Sequence, residues 1–366
     1  MNELALQQQG TVDRIALVGT AIATALAIAF VLLDPIQTVA RSAAPATLPE
    51  RPEPVAPPAV TAPSPLVQLP LPSPAWTVVS DGSWAVYTRV EPGAAPALVA
   101  RSLHSDESRL LYRAGATSYM GQLSLGKGVL AFEEIAQPNG DAQGRTIAVR
   151  AVSVPGGAVN TIDSFPATRS FAASPLTDGT RVLWVRPATA GGDEIRSLDL
   201  ASGSVTTLLR RDDRIAGLAL AGGRLAFTAF AGDAGKSYVF DLASARLTPV
   251  EGFAYSYVQS IGPAGVIVTA AAAPDAPAAS WLVRTDGTRT RLASDCFSIT
   301  MTARLAAMRC ATQIEIRDLA TASSLYHFAG NAGALAVFDD GVVWGEGDAL
   351  MLYELAPVAG TPARAG

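Results

Sequence analysis

The feature that most constrains this chain is a short run that keeps returning. A turn, often Asp-Gly, leads into small, apolar and aromatic residues. The copies are DGSWAVY (81–87), GKGVLAF (126–132), DGTRVLW (178–184), AGGRLAF (221–227), GPAGVIV (262–268), TARLAAM (302–308) and FDDGVVW (338–344). Their last residues, at 87, 132, 184, 227, 268, 308 and 344, lie 36 to 52 positions apart. A unit of that length is one supersecondary element. It cannot bury an apolar face alone and must stack on its neighbours.

The stretch from Ser174 to Leu209 shows the unit most fully. Asp178-Gly179 turns into the β-rich Arg181 to Val185, Gly191-Gly192 breaks the chain, and Ile195 to Leu200 alternates apolar with polar. Ser202-Gly203 then leads into Val205 to Leu209. It reads as three strands and two turns. An alternating strand, a polar turn and another strand follow six of the markers. The seventh copy, LMLYELAPVAG, stops after one strand.

The spacing predicts an all-β fold, a seven-bladed β-propeller over 64–356, with six blades as the runner-up. A seventh blade short of its outermost strand leaves an open edge. Leu66 to Leu69 is the candidate donor, pairing with Leu350 to Leu355. Its flanking prolines favour the competing reading as linker. The Asp-Gly turn before an apolar-aromatic run, together with LDLASG, resembles the WD40-like repeats of the TolB-type β-propellers over 75–356. Those repeats carry Ser-Pro-Asp-Gly. Here only the first, third and last copies keep Asp-Gly, and Ser174-Pro175 is separated from it. No counterpart of TolB's small α/β domain is read. The resemblance implies the fold and transfers no functional residue.

Residues 1–14 form a short polar tail. Ile15 to Leu33 then run for 19 residues without a charge. As a helix this spans roughly 28 Å, about the hydrocarbon thickness of a bilayer. We read 15–33 as a retained transmembrane signal anchor in contact with the lipid bilayer. A cleaved signal peptide is the competitor. Arg14 and Arg41 flank the segment and leave its orientation undecided by charge. Residues 34–63 read as a Pro-rich linker. Twelve of the 25 prolines fall within 35–74, so an extended stalk is expected and a PxxP ligand is the lesser reading. Residues 357–366 read as a C-terminal tail.

Cys296 and Cys310 are the only cysteines. They bracket a predicted hairpin whose turn centres near Ala303, seven residues from each, which places them opposite one another. A disulfide is expected. Two buried thiols are the alternative. A disulfide suits an oxidising compartment, so the propeller is expected on the extracytoplasmic side of the cytoplasmic membrane.

Chemistry is thin. The net charge of −5 argues against nucleic-acid binding. His104-Ser105-Asp106 are consecutive, which does not make a triad, and His327 falls on a predicted outer strand. Ser124 to Lys127 matches S-x-x-K but sits where a strand meets a turn. Glu133-Glu134, Asp193-Glu194, Asp212-Asp213 and Asp339-Asp340 are adjacent carboxylates, which point to opposite faces of a strand. The cluster Arg210 to Arg214 reads as a solvated loop before a binding face. No catalytic, cofactor or metal site is expected. The expected role is an interaction or sensing module with an unidentified protein partner at a propeller face. A glycan-acting hydrolase with channel carboxylates and a structural envelope protein are the alternatives.

Overall fold

A strand that is apolar at every position must be covered on both sides. The seven marker runs meet this condition by lying between sheets. The computed structural model describes residues 66–137, 144–166, 172–232, 234–271, 278–293, 296–310, 313–329, 334–339 and 341–354. The expected helix at 15–33, linker at 34–63 and tail at 357–366 lie outside them. Among the described residues no helix is long and apolar enough to cross a membrane.

The described residues form seven four-stranded antiparallel sheets. Blades 1 to 6 occupy 75–113, 118–166, 176–211, 214–249, 255–293 and 296–329, each with its strands in chain order from the centre outwards. Blade 7 takes three strands from 335–354 and its outermost strand from the other end of the chain. Val67–Pro70 pairs antiparallel with Ala349–Glu354, Leu69 opposite Leu350 and Gln68 opposite Met351. The expected closing strand is therefore present, shifted by one residue. The stretch 174–209 holds four strands where three were read. Leu176–Thr177 is the innermost, and two residues are too few to show an alternation.

Alternation along the second strand explains the ring. The last residue of each marker faces the preceding blade. Tyr87 packs with Phe338 and Val343 of blade 7, and Phe132 with Val86 and Leu98 of blade 1. Trp184 meets Ile147 and Val149 of blade 2, and Phe227 meets Leu183 and Ile195 of blade 3. Val268, Met308 and Trp344 repeat this against blades 4, 5 and 6. All seven residues are at most 1% exposed. The core is thus seven interfaces, one per pair of neighbouring blades.

The Asp-Gly turns serve the same packing. In blade 1, Asp81 Oδ1 accepts the N–H groups of Ser83 and Trp84, and the Ser80 hydroxyl donates to Trp84 O. In blade 3, Asp178 Oδ1 accepts those of Thr180 and Arg181, and the Thr177 hydroxyl donates to Arg181 O. Gly179 has φ +83°, and a Cβ there would stand 2.5 Å from the Lys127 Cβ of the neighbouring turn. Glycine permits both the conformation and the approach. Asp81 Oδ2 accepts the Gly128 N–H at 3.2 Å, so the turn also ties blade 1 to blade 2.

A bulge lies in the innermost strand of blades 1, 2, 4, 5 and 6. In blade 6 it decides the disulfide. Met301 faces Ala306 and Ile299 faces Met308, a register that continued unbroken would set Cys310 against Phe297. The register shifts by one between Phe297 and Ile299, where Ser298 has φ +55°, and Cys310 faces Cys296 instead. The two are joined in a disulfide with Cα atoms 3.9 Å apart. The count of seven residues from Ala303 reached the right pair because the extra residue offsets a turn centred half a residue later.

Two outcomes test this architecture. Truncation to residue 64 should leave the melting temperature unchanged. Truncation through Pro70 should lower it by at least about 5 °C, because it exposes the edge of Ala349–Glu354. Replacing both cysteines with alanine should cost about 3 kcal/mol in denaturant unfolding under oxidising conditions, the value for a loop of this length.

Candidate functional site

The ring has two faces. One carries the turns between first and second strands and between third and fourth strands; we call it the turn face. The other carries the links between blades and between second and third strands; we call it the connector face. Each innermost strand begins at the connector face.

Three large apolar side chains stand exposed on the connector face, all from blades 1 and 2. Trp76 lies in the bulge of the innermost strand of blade 1 and is 58% exposed. Tyr119 begins the innermost strand of blade 2, beside it in the ring, at 39%. Val90 follows the second strand of blade 1. The bulge matters, because it offsets Trp76 from the pairing that buries Ala75 and Val78 on either side. The marker search missed this patch, since it followed residues that pack between blades. An exposed Trp in an inner strand was the available signal.

The other expected residues fall in structural roles. His104 sits in an exposed turn, with Nε2 3.0 Å from Gly82 O, and Asp106 pairs with Arg101 rather than His104. His327 is exposed on the outermost strand of blade 6 with Nε2 2.8 Å from Ser324 Oγ. Ser124 accepts the Thr177 N–H at 3.1 Å, and Lys127 lies in a turn at φ +46°. This is no helix presenting Ser and Lys one turn apart. The donor atoms of Cys296, Cys310 and Glu315 lie within 4.8 Å of one another. The disulfide takes both sulfurs, and Arg317 Nε pairs with the Glu315 carboxylate, so the trio offers no thiolate to a metal.

The paired carboxylates diverge. Asp193 accepts the Ile215 N–H of blade 4 at 2.7 Å, while Glu194 holds Arg196 and Arg210 at 2.8 and 3.0 Å. Burial pushes the Glu194 carboxyl up, but the two guanidiniums outweigh it and hold it below the usual range. Arg211 pairs with Asp213 and lies 4.7 Å over the Tyr238 ring of blade 4. The Arg210 to Arg214 cluster therefore braces blades 3 and 4 in part, where a solvated loop was expected. Glu134 likewise accepts from Tyr112 Oη, Gly115 N and Arg150 Nε, which lower its carboxyl against the upward push of burial.

Glu133 is the exception. It follows Phe132, and the residue in that place faces the next blade. Thr228 in blade 4 uses it to accept the Val258 N–H of blade 5 at 2.8 Å. Glu133 is 0% exposed and faces the N–H groups of Ala173 and Ser174, just before blade 3, and of Gln122, none in full hydrogen-bond geometry. Gly121 clears its space, since a Cβ there would lie 2.9 Å from the Glu133 Cδ. Burial pushes the carboxyl up to about 7, and the three amides only partly oppose it. The folded state thus binds a proton that the unfolded chain has released. Stability falls as pH rises from about 4.5 to about 7 and stays low above that. Glu133→Gln should remove this slope and raise stability at pH 8 by up to ~3 kcal/mol, read by denaturant unfolding across pH.

No family model matches this chain, and no curated protein matches it. Solved structures do. The β-propeller domain of the Trilobed protease from Pyrococcus furiosus, described as having an open velcro topology, superposes at a TM-score of 0.54 with 9% identity. It covers 79% of this chain and 99% of that one. A prolyl endopeptidase superposes at 0.55 with 13% identity over 78% of this chain, and this chain spans only 51% of its length. TolB from Acinetobacter baumannii matches at 0.49 with 12% identity over 74% of this chain and 66% of its own. At such identities the likeness is one of fold: this chain is a seven-bladed β-propeller, with its own ring closed by Val67–Pro70.

Proposed function

We propose that this protein is a non-catalytic interaction module, carried outside the cytoplasmic membrane on an N-terminal anchor and a Pro-rich stalk. Its partner is a protein that docks on the connector face. The observation that carries the reading is the exposure of three apolar side chains, Trp76, Val90 and Tyr119, at the connector end of adjoining blades. Trp and Tyr are the side chains that most often anchor protein interfaces, because they bury large area at small entropic cost. Glu134, Asp193 and Glu194, which could have served hydrolysis, act instead as braces between strands and blades. Glu133, whose pKa would suit an acid, is sealed from solvent.

The disulfide supports an extracytoplasmic setting. The apolar run of 15–33 supports the anchor, and the prolines of 34–63 support reach. A propeller fold is also shared with PorZ of Porphyromonas gingivalis, described as an essential bacterial surface component of the type-IX secretion system. It matches at a TM-score of 0.50 with 12% identity, and this chain spans 39% of its length.

Chemical cross-linking in native membranes, followed by purification through a C-terminal tag, should recover the full chain with one dominant protein. Trp76→Ala with Tyr119→Ala should cut that yield at least tenfold while leaving the melting temperature within about 2 °C, since both side chains are exposed. Recovery of the monomer alone from wild type, or an unchanged yield from the double variant, would sink the reading.

A further inference from the structure

The turn face carries a second feature, far from the Trp76 patch. Between blades 4 and 5 lies a cleft of about 590 Å³. That is within the range that takes a small organic ligand. Its floor is apolar. Val239 and Val250 of blade 4 face Val266 and Val283 of blade 5 across it.

Its margin carries four arginines. Arg224 and Arg246 come from blade 4, and Arg284 and Arg289 from blade 5. Among the described residues none of the four lies within ion-pair distance of a carboxylate. Two are held in place by backbone. Arg224 Nη2 donates across the cleft to Gly262 O of blade 5, whereas Arg284 Nη2 donates to Leu319 O of blade 6 and so commits its guanidinium to the next boundary, each at 2.6 Å. Arg289 lies 5.3 Å over the Phe253 ring, with its Nε buried and unbonded. Arg246 is exposed, faces Asp241 across the strands and, among the described residues, makes no hydrogen bond. Two carboxylates share the lining, Asp241 and Glu251. Asp241 Oδ1 is occupied in capping Ser244 N and Oγ. With Arg284 committed to blade 6, the cleft keeps three arginines against two carboxylates, an excess of one positive charge above an apolar floor.

We propose that this cleft is a binding site for an amphipathic organic anion, with a carboxylate, sulfonate or phosphate head and an apolar body. The Arg224 guanidinium, held across the cleft by a backbone carbonyl, keeps its other donors free and pre-placed for an oxyanion. The valines supply the surface that a simple inorganic anion would leave uncovered. The site is independent of the partner reading, because it shares no residue with it.

The probe is 8-anilino-1-naphthalenesulfonate, a fluorescent aryl sulfonate, titrated against the folded full chain. One saturable site with enhanced emission is expected. Decanoate should displace the dye, whereas inorganic phosphate at the same concentration should not. Arg246→Glu should weaken binding at least fivefold; it also sets a second carboxylate opposite Asp241, so Arg246→Gln, which does not, should weaken binding at least twofold with the melting temperature within about 2 °C. Arg109→Glu, the same change of charge on blade 1, should leave affinity within twofold, and so should Trp76→Ala. Equal displacement by phosphate would overturn the apolar half of the proposal. Equal affinity in the Arg246→Glu protein, or equal loss in the Arg109→Glu protein, would overturn the site.

Discussion

Contact between neighbouring sheets governs this structure. A four-stranded blade has two faces and no interior of its own. Each of its faces becomes interior only when another blade covers it. The large residue at the end of each marker run crosses that boundary, from Tyr87 against blade 7 round to Trp344 against blade 6. Because every blade both covers and is covered, the arrangement has no natural end until it closes. Closure by Val67–Pro70 pairs the one outer edge of blade 7 with the other end of the chain, so the first described strand and the last share a sheet.

Polar groups follow the same geometry. Asp81 reaches Gly128, Asp193 reaches Ile215, and Asp163 reaches both Trp184 Nε1 and Arg186 in the next blade. These carboxylates are acceptors for donors that blade packing would otherwise bury unpaired. Ser260 does the same for Met301 N with a hydroxyl. Adjacent acidic residues in such a chain are more informative about which blades touch than about catalysis. Among the described residues, Glu133 is the one carboxylate that enters a boundary without a full set of partners, and stability is the quantity it alters.

Much of the fold could be read from residue order. The marker period implied the blade count, and the truncated seventh copy implied a donor strand. The residues that end the markers are all buried between blades. What escaped was local and irregular. Leu176–Thr177 is too short to show a period, and the bulge at Ser298 leaves no compositional trace, yet it selects the partner of Cys310. The Trp76 patch and the arginine cleft were hidden for a different reason. Each gathers residues from separate blades, and their neighbourhood exists only after the ring forms.

The sequence by itself determined the repeat, the alternation that buries each second strand on both faces, and the turn chemistry of Asp81 and Asp178. Those properties depend on residues within a few positions of one another, so local sterics and hydrogen bonding suffice. The tertiary structure alone decided which aromatic residues stayed outside, which carboxylate lost its solvent and which arginines share a cleft. Those properties depend on distances between blades, and the closure of the ring sets them.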